Sequence, residues 1–282
     1  MRLVDESDAL RDAFPVEYVD LAVVVTDLGS STVLMFILAL LFWLTRRRET
    51  ALIVSYAFAG YVFILVVKTL LGMPRPPEAV HLIAVDGDAY GFPSGHAFAA
   101  VVVYGGLYSV FEVARRRLAL AVVATLVVLV SLSRVVLGMH HLGDVVVGAA
   151  LGVAFLFAMG RLTDGDPVRG FALALVIALA LLAITGVTQD ALFGLGGAVG
   201  GILGSLRLES LPALRSRLEG AVLAVVGVGF IVGVTALESA VEAAFTPALL
   251  VLYAGLILGL LLVPLAVGRV EVGPLERGLR AQ

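Results

Sequence analysis

The sequence predicts an all-α, polytopic helical membrane protein, and three observations carry that reading. Hydrophobic residues fill 61% of the 282 positions and charged ones 15%, with a mean hydropathy of +1.08; soluble domains run nearer half apolar and a quarter charged. The apolar residues gather in blocks of roughly 16 to 24, about the length a helix needs to cross a hydrocarbon core. Arginines collect in the short connections between alternate blocks, the pattern that sets orientation in a membrane.

The chain starts with the acidic stretch MRLVDESDALRDAFPVEYVD, in which Arg2 and Arg11 stand against Asp5, Glu6, Asp8, Asp12, Glu17 and Asp20. A secretory signal needs a basic start and a short apolar run, and this segment has neither, so it is expected to be retained. From Pro15 to Asp27 apolar and acidic residues alternate, which predicts an interfacial segment. Nine spans are then expected, at 28–44, 51–71, 95–113, 118–137, 141–160, 170–188, 191–206, 220–237 and 246–268. The seventh is short and glycine-rich, and a re-entrant loop is the alternative there. Gly196, Gly200 and Gly204 sit four apart in it, a spacing that lets another helix backbone approach closely.

These blocks divide into an N-terminal segment (1–27), a six-helix core (28–190), further transmembrane helices (191–268) and a tail (269–282). Arg46 to Arg48, Arg115 to Arg117, Arg161 with Arg169, Arg207 with Arg215 and Arg217, and Arg269 with Arg277 and Arg280 all fall on one side of a nine-span chain. By the positive-inside rule that side is cytoplasmic. The reading puts the protein in the plasma membrane, with its N-terminus outside and its C-terminus inside. The absence of cysteine excludes disulfides and thiolate metal sites. The net charge of −3, with no basic tract, points away from nucleic acid.

The chemistry lies on the outer side. Lys68, the sole lysine, ends the second span, and Arg75 follows in the loop. That loop returns at Gly91-Phe92-Pro93-Ser94-Gly95-His96 to start the third. The fourth ends with Ser133 and Arg134, and the fifth opens with His140 and Asp144, one helical turn apart and so on one face. Gly148 and Gly152 continue that row towards neighbouring helices. A charge inside a span costs roughly 2.5–3.5 kcal/mol, so Lys68 and Arg134 as snorkelling anchors is the plainer but costlier account.

Together these residues fit phosphoryl transfer. The cations Lys68, Arg75 and Arg134, with the amides around Ser94 and Gly95, can surround the non-bridging oxygens of a phosphate. His140 is the candidate nucleophile, Asp144 the acceptor of its other ring proton, and His96 the general acid and base. His141 lies about 100° round an ideal helix from His140 and is assigned to packing. His81, Glu78, Asp86 and Asp88 are read as solvated loop residues.

The three elements, Lys68 to Arg75-Pro76, Pro93 to His96, and Ser133-Arg134 to His140 and Asp144, resemble in order and spacing the type-2 phosphatidic acid phosphatase superfamily. That superfamily is related to bacterial acid phosphatases and vanadium haloperoxidases. The resemblance covers about residues 20–190. It implies a six-helix core, His140 as nucleophile, His96 as acid and base, the three cations as phosphate ligands, and no metal or other cofactor. Gly143 departs from it, because many relatives carry serine or threonine there.

The expected activity is hydrolysis of a membrane lipid phosphate or diphosphate, of the polyprenyl diphosphate, phosphatidic acid or phosphatidylglycerol phosphate type, through a phosphohistidine. A phosphotransferase passing the phosphoryl group to an alcohol is the nearest alternative. A metal site built on His96, His140 and Asp144 is opposed by the three cations, and a transporter leaves the Pro-Ser-Gly-His element without a use. The expected partners are the lipid substrate and the bilayer, with a second copy of the chain as a candidate.

Overall fold

A computed structural model describes residues 2–84, 90–111 and 116–268, apart from the side chain of residue 244. Asp86, Asp88, Arg115, Arg269, Arg277, Arg280 and the tail therefore lie outside the described residues. The described residues form eleven helices: α1 (Val4–Asp12), α2 (Val19–Asp27), α3 (Ser31–Leu44), α4 (Arg47–Leu71), α5 (Gly95–Val110), α6 (Arg116–Val136), α7 (Leu142–Thr163), α8 (Pro167–Thr185), α9 (Gln189–Ser205), α10 (Arg217–Phe245) and α11 (Leu249–Gly268). Among the described residues the only β pairing is one antiparallel bridge, Pro74 to Tyr90.

A helix falls at each of the nine expected blocks, but their lengths differ. Six are long and apolar enough to cross a membrane: α4, α6, α7, α8, α10 and α11. The segment Val16–Asp27 joins α3 across a 48° bend, and the two together make a seventh candidate by length and composition. The bend falls at Leu28–Ser30, where the Ser30 hydroxyl donates to the Asp27 carbonyl and accepts from the Val33 amide. α9 has 17 residues, about 25 Å of rise, short of the roughly 30 Å hydrocarbon core. The glycine-rich block is thus one short continuous helix.

By contact the chain forms two compact units, one made of the chain up to Phe36 with Ala59–Gly165, the other of Ile37–Phe58 with the chain from Asp166 onward.

In the first unit, Phe63, Phe98 and Phe155 bring α4, α5 and α7 together, with ring centroids 5.1 to 5.9 Å apart. Small residues let α7 approach α5: a Cβ at Gly148 would lie 2.5 Å from the Ser94 carbonyl oxygen, and one at Gly152 would lie 2.9 Å from Val101. α5 carries a π-turn over Val101–Gly105. There the Tyr104 hydroxyl donates to the Leu28 carbonyl at 2.8 Å, which fastens α5 to the bend before α3.

In the second unit, the face of α9 bearing Gly196, Gly200 and Gly204 lies against Leu250, Ala254 and Leu261 of α11, the close approach that the four-residue spacing implied. Gly197 and Gly201 receive the rings of Phe58 and Phe171. Trp43 is fully buried, and its indole N–H donates to the Leu260 carbonyl at 3.0 Å, so this large side chain enters the core without an unsatisfied donor.

Candidate active site

Every residue singled out for phosphate chemistry belongs to the first unit. Lys68 stands in the last turn of α4, 4% exposed, and its ammonium donates to the Tyr90 carbonyl at 3.2 Å. The same Nζ lies 3.9 Å from where a Gly95 Cβ would sit, so the lysine head is beside the start of α5. Ser94 is the N-cap of that helix, fully buried, and its hydroxyl accepts from the Ala97 amide at 3.5 Å. The Ser94 amide donates to the Asp144 carbonyl at 3.0 Å, which ties the second element to the third. Arg75 reaches the Met139 carbonyl at 3.4 Å, and Arg134 reaches the Thr26 hydroxyl at 3.3 Å. The charges of Arg134, Lys68 and Arg75 all act on the His96 ring.

His140 and Asp144 meet, though not along a helix face. α6 stops at Val136, and Gly138 turns the chain with φ +77°. The amides of Met139 and His140 then both donate to the Arg134 carbonyl, a C-terminal capping pattern. His141 is the extended N-cap of α7. His140 therefore precedes the helix, and neither the one-turn argument for the pair nor the 100° argument for His141 applies. Asp144 is drawn back by the His141 amide, which donates to its Oδ2 at 2.9 Å.

The His140 ring has a second acceptor beside the Asp144 carboxylate that the sequence points to. Nδ1 is 2.6 Å from the Gly91 carbonyl oxygen, whereas the nearest Asp144 oxygen is 3.7 Å away. A carbonyl can only accept, so Nδ1 carries the hydrogen and Nε2 is left with the lone pair. His140 is 1% exposed. Burial pushes its pKa down to about 4; Asp144 opposes that shift, while Arg134, Lys68 and Arg75 reinforce it. The neutral ring is the resting form.

Asp144 is held instead by Arg2. The guanidinium donates from Nε to Oδ1 at 2.8 Å and from Nη2 to Oδ2 at 2.7 Å, a two-pronged pairing on a carboxylate of 0% exposure. Its third nitrogen donates to the Pro74 carbonyl at 2.8 Å. The Gly143 amide donates to the Arg2 carbonyl, and a Cβ at 143 would lie 2.8 Å from the Arg2 backbone. The glycine departure noted at 143 makes room for this arm. Nothing in the sequence signals Arg2: it is one of two arginines in an acidic stretch, 142 residues from its partner. Gly91 was passed over for another reason, because its contribution is a backbone carbonyl that no side chain announces. His81 contacts the Pro76 carbonyl at 3.0 Å within its own loop.

The decaprenylphosphoryl-5-phosphoribose phosphatase of Mycobacterium tuberculosis, from strain CDC 1551 / Oshkosh and equally from strain ATCC 25618 / H37Rv, is 33% identical over 111 residues. The match covers 38% of this chain and 57% of that protein, so the chain spans little more than half the length of these curated relatives. No solved structure gives a significant match. The family model described as the PAP2 superfamily matches residues 48–166, a range that includes Lys68, Arg75, Ser94, Gly95, His96, Arg134, His140 and Asp144.

Proposed function

We propose that the protein is an integral membrane phosphatase that removes a phosphoryl group from a lipid phosphate through a phosphohistidine on His140. The observation that carries this is the Nδ1–H of His140 donating to the Gly91 carbonyl, which leaves an unprotonated Nε2 in a buried ring under the field of three cations. Nε2 attacks phosphorus as the bond to the leaving oxygen breaks, and His96 gives that oxygen its proton. Lys68, Arg75 and Arg134, with the first amides of α5, take up the charge on the non-bridging oxygens. A water molecule then attacks the phosphohistidine and loses a proton to His96; the P–N bond breaks and inorganic phosphate leaves. Histidine and acid are thereby restored, with no cofactor consumed.

The relatives' printed name directs the substrate towards a phosphomonoester on a polyprenyl-linked carrier, with other lipid phosphates and diphosphates as further members of the class. The arginine-rich connections support a site on the outer face of the plasma membrane, reached sideways from the bilayer. The test is phosphate release by the purified protein from a polyprenyl-linked sugar phosphate, a polyprenyl diphosphate and phosphatidic acid, with no alcohol acceptor added. Turnover of at least one, and essentially none by His140→Ala, is expected. Equal rates in the two proteins would remove His140 from the mechanism. Release only when an acceptor alcohol is supplied would make the enzyme a transferase.

A further inference from the structure

We propose that Arg2 is a positioning residue for this site, a clamp supplied from outside the matched domain that holds Asp144, and through it His140, in working geometry. The proposal rests on the phosphatase reading above. One guanidinium joins two of the three polar elements and lies beside the chain that leads into the other. It binds both oxygens of Asp144 and the carbonyl of Pro74, next to Arg75. Nη2 also lies 3.0 Å from where a Gly91 Cβ would stand, at the residue whose carbonyl fixes the His140 tautomer. The arm is anchored again on α7, where the Gly143 amide donates to the Arg2 carbonyl and the Leu142 amide to the Ser7 hydroxyl, at 2.9 and 2.8 Å. Ser7 is fully buried in an otherwise exposed acidic helix.

The physical role follows from the carboxylate. An ionised Asp144 with no partner, 3.7 Å from Nδ1, would compete with the Gly91 carbonyl for the ring and favour its protonated form. Two bonds from Arg2 and one from the His141 amide occupy both oxygens. Asp144 is thus kept as a support for the segment and is not a sink for the ring proton. A planar fork suits this task better than a lysine, because three of its N–H groups are already aimed in different directions. The other groups acting on His140, namely Lys68 of α4, Arg75 of the following loop, His96 of α5 and Arg134 of α6, are untouched by a change at Arg2.

The test uses the full-length protein with phosphatidic acid and a polyprenyl diphosphate in mixed micelles. Arg2→Ala is expected to lower kcat on the order of 10²-fold, as a small misplacement of a catalytic group does, with KM moving less than about threefold. The acid limb of its pH profile should move to higher pH, since losing a nearby cation and freeing Asp144 both favour the imidazolium. Arg2→Lys keeps the charge and should recover only part of kcat; full recovery would show that charge alone acts and would overturn the clamp. Unchanged kcat in Arg2→Ala, or a fall in kcat with the acid limb unmoved, also overturns it. Should wild type turn over neither of these lipids nor a polyprenyl-linked sugar phosphate, the phosphatase reading is what fails. The clamp is then judged by thermal unfolding of Arg2→Ala, Asp144→Asn and the double variant, where strictly additive losses would sink it.

Discussion

Replacing Gly148 with alanine changes no polar group and alters no proposed chemical residue itself, yet it should disable the site. In a helix the substitution is favourable by about 1 kcal/mol on propensity alone. Here the new methyl would lie 2.5 Å from the Ser94 carbonyl oxygen and 3.2 Å from the Ser94 nitrogen. Ordinary contact begins near 3.4 Å, so α7 and the start of α5 must separate by something close to 0.9 Å, because close-packed interiors transmit such a strain and do not absorb it. The Ser94 amide bond to the Asp144 carbonyl spans that gap, so His96 and the phosphate-facing amides would move away from His140 together. A displacement near 1 Å costs on the order of 10²-fold in rate. The assay is phosphate release at saturating lipid by Gly148→Ala beside wild type, with thermal unfolding of both in detergent. A kcat within about threefold of wild type would show that the rate tolerates this opening, and would refute the claim that a fixed spacing between α5 and α7 sets it.

The remaining predictions concern the turn, the nucleophile and the second unit. Gly138→Ala must place an L-residue at φ +77° with its Cβ 2.0 Å from the Val80 carbonyl oxygen. The left-handed backbone alone costs roughly 1–2 kcal/mol, so both melting temperature and kcat should fall, and an unaltered melting curve would contradict the turn. Because the pKa of His140 is pushed down to about 4, the neutral nucleophile persists through mild acid. The acid limb of kcat/KM due to His140 should therefore lie near pH 4, and a limb near pH 6.5 traced to that residue would show an ordinary, solvated histidine. Gly200→Ala would set a Cβ 2.2 Å from the Ala254 carbonyl oxygen, overpacking α9 against α11 by about 1–3 kcal/mol. Thermal unfolding should register that loss, and unchanged stability would mean the two helices part without cost.

Much of this protein could be read before any coordinates, because the information was local. Apolar blocks in a polar chain become helices wherever they are long enough, and lysine, arginine and histidine inside such blocks are costly enough to mark a site. Three elements kept at fixed spacings pointed to phosphate chemistry, and glycines four apart in α9 announced a close helix contact. Tertiary structure decided the rest. That Gly138 ends α6 and leaves His140 ahead of α7, that its ring proton rests on the Gly91 carbonyl, and that Asp144 answers to Arg2 are relations between groups 3 to 142 residues apart in the chain. Backbone carbonyls carry no residue signature, and an arginine in an acidic segment looks solvated until the fold folds that segment back. Sequence names the groups that can do chemistry; which lone pair faces which proton is settled only when packing brings distant segments within hydrogen-bonding distance.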